Sequence, residues 1–111
     1  MKHLAFILLL LPSFIWAQEK KGVYFEHELS WAGVKEKAKK ENKYIFLDCY
    51  TTWCGPCKYM SQTVFPQEKV GAFFNKHYIN AKVQLDTTDR DSEAVKSWYA
   101  DGTAIAKQYN V

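Results

Sequence analysis

The sequence predicts one α/β domain built on parallel strands. The chain has 111 residues, of which 48% are hydrophobic and 16% aromatic, enough for one packed core and too few for two domains. Segments with helical and strand patterns alternate along it in the order helix, strand, helix, strand, helix. This order is typical of parallel strands that are joined by helical crossovers.

A separate N-terminal segment precedes the domain. Residues 1–17 combine an early positive charge with a long apolar run, and polar residues follow. We therefore predict a secretory signal peptide that is cleaved near Ala17 and Gln18, and a periplasmic or secreted mature protein. The alternative is an uncleaved membrane anchor, but the apolar run is shorter than the ~20 residues of a spanning helix and contains a proline.

The mature chain is predicted to begin with an exposed lead-in over residues 18–25, and the domain then occupies residues 26–111. The first helix of the domain is amphipathic and ends near Asn42, because apolar residues recur at helical spacing among lysines and glutamates. The apolar positions of this helix are Leu29, Trp31, Val34 and Ala38.

Two strands are predicted, at residues 43–50 and 78–85. The first, KYIFLDCY, does not alternate with polar residues, which predicts burial on both faces. A helix that starts at the cysteines and stops at Pro66 follows this strand, and a further helix over residues 67–76 leads to the second strand. The inward side chains of these two helices are predicted to be Met60, Val64, Phe65, Val70, Phe73 and Phe74.

The C-terminal part of the chain is predicted to be helical after a polar turn at residues 86–92. One or two helical pieces fill residues 93–109, with a break around Asp101 and Gly102. The predicted inward set of this part is Ala104, Ile105 and Tyr109.

The charge pattern argues against one class of partner. The chain carries 15 Lys+Arg against 12 Asp+Glu, a formal net charge of +3, and its basic residues are spread among acidic ones. A nucleic-acid surface needs a concentrated basic patch, so we predict no nucleic-acid partner. We expect the protein to be a monomer.

All three cysteines lie in the segment CYTTWCGPCK, residues 49–58. Cys54 is predicted at or just before the first position of a helix, where unpaired N–H groups and the helix dipole stabilise a thiolate. Cys57 lies on the same helix face one turn on, so the two sulfurs can form a disulfide. We predict that Cys54 is the attacking thiol and that Cys57 resolves the mixed disulfide.

Three kinds of site compete for this cysteine pair: a redox dithiol, a zinc site and an inert structural disulfide. A zinc site needs two more ligands, and the sequence has no second CxxC and no paired histidines. A structural bridge of this spacing closes too short a loop to constrain an unfolded chain much. A redox dithiol that needs no metal and no further cofactor is therefore favoured.

Two residues of the preceding strand also bear on the chemistry. Asp48 is an acid within an apolar strand, which is costly unless it is paired or protonated, so it is a candidate proton acceptor. The alternative is that Asp48 only caps or turns the chain. Cys49 points to the opposite face and is predicted to be an inert core residue, with a regulatory or intermolecular thiol as the alternative.

The segment WCGPCK at residues 53–58 resembles the active site of thioredoxins. This resemblance implies a thioredoxin-like fold in which Asp48 takes the proton of the resolving thiol and Lys82 partners that acid. From the residues alone, Lys82 could equally be a surface lysine that lies along its strand. The substrate-contacting residues that the resemblance implies are Trp53, Gly55 and Pro56.

A closer group is also indicated. The segments KAKKENKYIFLDCYTTWCGPCKYM and TVFPQEKVGAFFN are similar to extracytoplasmic thioredoxin-like domains related to the C-terminal domain of the transmembrane thiol-reductant conduit. The resemblance covers residues 28–111. Such proteins continue into a loop with a cis-proline, two antiparallel strands and a last helix, whereas no proline follows Pro66 here. We therefore expect an incomplete thioredoxin-like fold, truncated at its C-terminus.

These observations predict an exported thiol–disulfide oxidoreductase that reduces protein disulfides and is itself reduced by a membrane or soluble electron donor. The Gly-Pro pair between the cysteines resembles the reducing members of the family. The alternatives are a disulfide oxidase or isomerase, and a non-catalytic thioredoxin-like binding module.

Overall fold

The structure is a computed structural model that describes residues 21–111, so the predicted signal peptide lies outside the described residues. The strands are β1 (Phe25–Glu26), β2 (Tyr44–Tyr50) and β3 (Tyr78–Gln84). The helices are α1 (Trp31–Glu41), α2 (Gly55–Tyr59), α3 (Glu68–His77), α4 (Glu93–Lys96) and α5 (Tyr99–Tyr109). A π-helical turn at Met60–Val64, called here the π-turn, continues α2. Over residues 21–111, no helix is long and apolar enough to cross a membrane.

The three strands form one parallel sheet in the order β1-β3-β2, which confirms the predicted α/β class with parallel strands. Strands β2 and β3 occupy the two segments that the sequence predicts, to within one residue at each end. The sequence does not predict β1, because a strand of two residues is too short to show an alternating pattern.

The segment before β1 differs from the exposed lead-in that the sequence predicts. Gly22 is buried and residues 23–25 are half-buried. The N–H of Val23 donates to the carbonyl of Phe65 at 2.7 Å, and the Asn75 side-chain amide donates to the carbonyl of Gly22 at 3.0 Å. These hydrogen bonds hold the segment against α3 and the end of the π-turn.

Helix α1 is bounded by caps at both ends. The Ser30 hydroxyl accepts the N–H of Gly33 at 3.2 Å, and Asn42 ends the helix in the left-handed region with φ 52°. The predicted end near Asn42 is confirmed. Leu29 lies before the cap and is partly buried, so the buried stripe of the helix is Trp31, Val34 and Ala38.

The two faces of the sheet have different cores. On one face, Ile79, Ala81 and Val83 of β3 pack with α1 and with Ile105 of α5. The other face carries a cluster of aromatic rings: Phe25, Phe46, Phe65, Phe74 and Tyr78. Side chains alternate between the faces of a strand, so Asp48 and Lys82 lie on the aromatic face and Cys49 lies on the other.

Strand β2 is less buried than predicted. Its first residue, Tyr44, is 83% exposed, and residues 45–50 are half-buried. The prediction of burial on both faces is wrong in this respect, because β2 pairs only with β3 in the described sheet and forms its edge.

Some predicted inward side chains face solvent. The π-turn adds one residue to the local helical repeat, with the N–H of Phe65 donating to the carbonyl of Met60 at 2.8 Å. This changes the phase of the helix, so Phe65 is buried and Met60 is exposed. The predicted inward residues that are exposed are Met60, Phe73, Ala104 and Tyr109.

The break between the last two helices also differs from the prediction. It lies at Ser97 and Trp98, and both Asp101 and Gly102 are inside α5. The Asp101 carboxylate accepts the N–H of Trp31 at 3.0 Å and so satisfies one unpaired N–H group in the first turn of α1. The polar Asp-Gly pair therefore marks a contact between helices rather than a chain break.

Candidate active site

The disulfide between Cys54 and Cys57 lies where β2 leads into α2. Cys54 is the N-cap residue of α2, and the two Cα atoms are 5.3 Å apart. The N–H of Cys57 donates to the Cys54 sulfur at 3.2 Å. The sulfur thus lies at the positive end of the helix, where the same N–H would stabilise a thiolate after reduction of the disulfide.

The surface around Cys54 is open. Cys54 and Cys57 are half-buried, whereas the side chain of Trp53 is 77% exposed. Gly55 and Pro56 are exposed, and a Cβ atom placed on Gly55 would have no neighbour within 4 Å. A large partner can therefore approach the Cys54 sulfur over an open rim that includes an indole ring.

The structure brings Asp48 and Lys82 together, as the thioredoxin resemblance implies. They are register partners on neighbouring parallel strands, and Lys82 Nζ is 3.4 Å from Asp48 Oδ2. Asp48 lies inside β2, so it neither caps nor turns the chain. Its side chain is 17% exposed and that of Lys82 is 27% exposed, which makes this a partly desolvated ion pair.

The ammonium group of Lys82 has a second polar partner and three aromatic neighbours. It donates to the Ser61 hydroxyl in the π-turn at 2.5 Å. Its distances to the ring centroids of Phe25, Tyr50 and Phe65 are 5.1, 5.2 and 5.6 Å. Ring faces attract a cation, so these contacts stabilise the position of the Lys82 side chain in a half-buried place.

The turn before Cys54 is fixed from the loop that follows β3. The N–H of Thr52 donates to Asp86 Oδ1 at 3.0 Å, and the Thr52 hydroxyl forms a short hydrogen bond to Asp86 Oδ2. The N–H of Cys54 in turn donates to the carbonyl of Thr51 at 3.3 Å. One carboxylate therefore holds the residue that lies two positions before the N-cap cysteine.

A second carboxylate supports this loop. Asp91 accepts hydrogen bonds from the Thr88 hydroxyl and N–H, from the Tyr99 hydroxyl and from the Gln84 amide. These donors, with the Thr88 hydroxyl first, hold the pKa of Asp91 well below its ordinary value. The same Gln84 amide donates to the carbonyl of Asp86 at 3.0 Å, so it connects the two carboxylate residues.

Cys49 lies on the face of the sheet opposite to Asp48 and Lys82. It is half-buried and packs against the apolar core. Burial raises the pKa of its thiol, and the nearby Asp48 charge raises it further. A raised pKa disfavours the thiolate, in keeping with the predicted inert core residue.

Three residues of this site are not predicted by the sequence: Thr52, Ser61 and Asp86. Thr52 and Asp86 each follow a predicted strand, and the carboxyl ends of neighbouring parallel strands meet at one edge of the sheet, which is the signal that could have found them. No comparable signal marks Ser61. Among residues 21–111, no group of three or more His, Cys, Asp or Glu side chains is placed to hold a metal ion.

A parallel sheet whose strand leads into a CxxC disulfide at a helix start is the arrangement of a thioredoxin-like domain. Residues 24–107 match the family described as Thioredox_DsbH, protein of unknown function, DUF255. The chain belongs to this family.

Curated relatives carry thiol–disulfide names. Thioredoxin-2 of Pyricularia oryzae is 37% identical over 60 residues, which cover 54% of this chain and 33% of that protein. The thiol:disulfide interchange protein DsbD of Pseudomonas fluorescens is 34% identical over 51% of this chain and 10% of its own length. The protein disulfide-isomerase of Gallus gallus is 34% identical over 56% of this chain and 12% of its own length. The chain thus matches a third or less of the length of each of these relatives.

Solved structures confirm the predicted thioredoxin-like fold. The solution structure of a candidate disulphide-isomerase from Bacteroides thetaiotaomicron is 33% identical with a TM-score of 0.59, over 84% of this chain and 66% of that one. A structure named DsbH Oxidoreductase has a TM-score of 0.62 at 22% identity, over 81% of this chain and 59% of that one, and supports the fold alone.

Proposed function

We propose that this protein is exported and reduces disulfide bonds of other proteins through Cys54 and Cys57. The observation that carries the proposal is the disulfide at the start of α2, with the Cys54 sulfur next to a helix N–H group and an open rim. The Gly-Pro pair between the cysteines resembles that of the reducing members of the thioredoxin family, which supports reduction as the direction. The predicted signal peptide supports export.

The reaction has two exchange steps. The Cys54 thiolate attacks one sulfur of a substrate disulfide; a Cys54–substrate bond forms, the substrate disulfide breaks, and the second substrate sulfur leaves and is protonated. Cys57 then loses its proton and attacks the Cys54 sulfur, which forms the Cys54–Cys57 disulfide and releases the first substrate sulfur. Two electrons pass from the protein dithiol to the substrate.

Asp48 is the proposed acceptor of the Cys57 proton, with Lys82 as its partner. Lys82 lies between Asp48 and the π-turn that continues the cysteine helix, so Asp48 lies on the sheet face which this helix covers. Cys57 lies in α2, one turn before Ser61 in the π-turn that continues this helix. The closeness of Ser61 to the lysine of the pair supports a role for Asp48 at the Cys57 side of the helix.

An exposed rim supports the proposed substrate side, and the proposed compartment supports an electron donor. Trp53, Gly55 and Pro56 form the exposed rim that would contact a protein segment bearing a disulfide. Disulfides persist outside the cytoplasm, so repeated reduction requires a dithiol donor in the membrane or in solution. The thiol:disulfide interchange name of one relative is in keeping with such a donor.

Disulfide isomerisation or oxidation is the second candidate function. It is favoured by the Bacteroides structure described as a candidate disulphide-isomerase, which is 33% identical to this chain. Such an enzyme would have a less reducing cysteine pair than thioredoxin. A third candidate, a binding module without turnover, would hold its partner and leave the partner's disulfide intact.

Replacement of the resolving thiol tests the proposed reaction. Cys57→Ser, reduced and then mixed with a protein disulfide such as insulin, should accumulate a mixed disulfide that dithiothreitol releases. The double variant Cys54→Ser/Cys57→Ser should form none, and the matched control Cys49→Ser should turn over like the unaltered protein. Absence of any mixed disulfide with Cys57→Ser would favour the binding module.

A further inference from the structure

We propose that Ser61 is a positioning residue for the proton-transfer step. Its hydroxyl accepts the hydrogen bond of the Lys82 ammonium, so Asp48 Oδ2 receives no hydrogen bond from its ion-pair partner and stays free to accept the proton of Cys57. The inference rests on the proposed function and adds a residue that neither the CxxC motif nor the thioredoxin resemblance implies.

The first observation is that Lys82 has two possible acceptors and bonds to the weaker one. Its ammonium is 2.5 Å from the Ser61 hydroxyl and 3.4 Å from Asp48 Oδ2. A hydrogen bond to a carboxylate is stronger than one to a neutral hydroxyl, so charge alone would turn Lys82 towards Asp48. The surrounding structure therefore fixes the ammonium closer to Ser61.

Aromatic rings from three parts of the fold surround the ammonium, and the Ser61 hydroxyl is its hydrogen-bond acceptor among them. Phe25 comes from β1, Tyr50 from β2, and Phe65 from the residue that follows the π-turn. All three ring centroids lie between 5.1 and 5.6 Å from Lys82 Nζ. Each ring attracts the cation at its own position, so together they restrict where the ammonium can lie.

The π-turn places Ser61 for this contact. Its i to i+5 hydrogen bond joins Phe65 to Met60, and both Ser61 and Phe65 contact Lys82 from this segment. Single π-turns inside helices are frequent at functional sites, because they reorient side chains at a cost in helix stability. Here the reoriented side chains are the hydroxyl and one of the rings that surround the lysine.

Because the ammonium bonds to Ser61, one carboxylate oxygen of Asp48, Oδ2, lacks a hydrogen-bond donor in the part of the chain that the structure describes. Oδ2 is buried and receives no hydrogen bond from any residue within 21–111. An oxygen that receives no hydrogen bond keeps its lone pairs for an incoming donor. Other titratable groups around this pair are Glu26, His27 and Tyr50, which line the same pocket as Lys82. Cys49 lies near enough to Asp48 for its thiol to respond to that charge, and Asp86 and Asp91 lie near Tyr50.

The step that Ser61 assists is the second exchange. The S–H bond of Cys57 breaks and its proton moves to Asp48 Oδ2. The resulting thiolate forms a bond to the Cys54 sulfur, the bond between Cys54 and the substrate breaks, and the electron pair leaves on the substrate sulfur. Without the Ser61 hydroxyl, Lys82 turns to Asp48 and occupies the acceptor oxygen.

The two exchange steps can be followed separately with 5,5′-dithiobis(2-nitrobenzoate), which releases one coloured thiolate on attack by Cys54 and a second on resolution by Cys57. All proteins carry Cys49→Ser, so that only two thiols react. We expect Ser61→Ala to slow the second release about fivefold, the effect of one hydrogen bond, and to leave the first unchanged. Ser61→Thr keeps the hydroxyl and should restore the second rate, and Thr63→Ala removes an exposed hydroxyl from the same turn and should change neither rate.

A second experiment tests whether the effect of Ser61 on the second release depends on Lys82. In a Lys82→Met background, Ser61→Ala should slow the second release no further, because the ammonium that Ser61 restrains is gone. The inference is overturned if Ser61→Ala leaves the second release unchanged, slows both releases together with a loss of thermal stability, or keeps its full effect without Lys82. If the unaltered protein gives no second release, the proposed function itself fails.

Discussion

Two cysteines only five positions apart have opposite chemical environments. The Cys54 sulfur accepts a helix N–H, whereas Cys49 packs against the core and has a raised pKa. The sequence predicts the environments of both cysteines, because strand alternation and a helix start are local patterns. It does not predict Ser61, because the contact of Ser61 with Lys82 depends on a π-turn that no local pattern marks.

Cys49 should react slowly with iodoacetamide while Cys54 and Cys57 are held as a disulfide. Burial raises its thiol pKa, so the thiolate fraction at neutral pH is smaller than for an exposed cysteine, and alkylation should accelerate as the pH rises towards that pKa. We expect the folded protein to react at least about tenfold more slowly at neutral pH than the same protein in urea. Equal rates in the folded and unfolded protein would identify Cys49 as a reactive thiol.

At the scale of elements, the site is assembled where β2 and β3 end side by side. The register pair of Asp48 and Lys82 and the contact of Thr52 with Asp86 both join these two strands or the loops after them. The sequence predicts β2 and β3 to within one residue at each end. It therefore also predicts the edge of the sheet where these two strands end. It misplaces the break before α5, because Asp101 and Gly102 form a turn-like pair whose contacts with α1 and β3 are long-range.

The contact between Thr52 and Asp86 should stabilise the turn before Cys54. Asp86→Asn replaces an acceptor that receives two hydrogen bonds, and we expect it to lower the free energy of unfolding by about 1 kcal/mol. Thr52→Val keeps the N–H bond and should cost less. Urea denaturation measures both.

The matched control for this contact is Asp89→Asn, which makes the same change at an exposed position of the same loop. It should leave the free energy of unfolding within about 0.5 kcal/mol of the unaltered protein. If Asp86→Asn and Asp89→Asn behave alike, the contact does not stabilise the turn.

At the scale of the whole molecule, the segment before β1 closes one side of the fold. A Cβ atom on Gly71 of α3 would lie 2.2 Å from the carbonyl carbon of Gly22, so two backbones pass in direct contact. Single-sequence patterns do not predict such an approach between residues about fifty positions apart, which is why the sequence predicts an exposed lead-in. The fold class was predictable because each element has its own periodicity.

Gly71→Ala should therefore destabilise the whole domain. The added methyl group meets backbone atoms that have no rotamer to move, and we expect a loss of about 3 kcal/mol in the free energy of unfolding. Gly55→Ala is the control, since the space around Gly55 is open, and it should change stability by no more than about 0.5 kcal/mol. Equal stability of the two variants would show that the segment before β1 does not pack on α3.

The reduction potential of the Cys54–Cys57 pair tests the central claim most directly. It is measured by equilibration of the protein with glutathione and dithiothreitol buffers of defined potential, with the fraction of free thiols as the readout. A reductase predicts a value near that of thioredoxin, ~−270 mV, whereas a value near ~−120 mV, typical of a strong disulfide oxidant, would contradict the direction proposed for this protein.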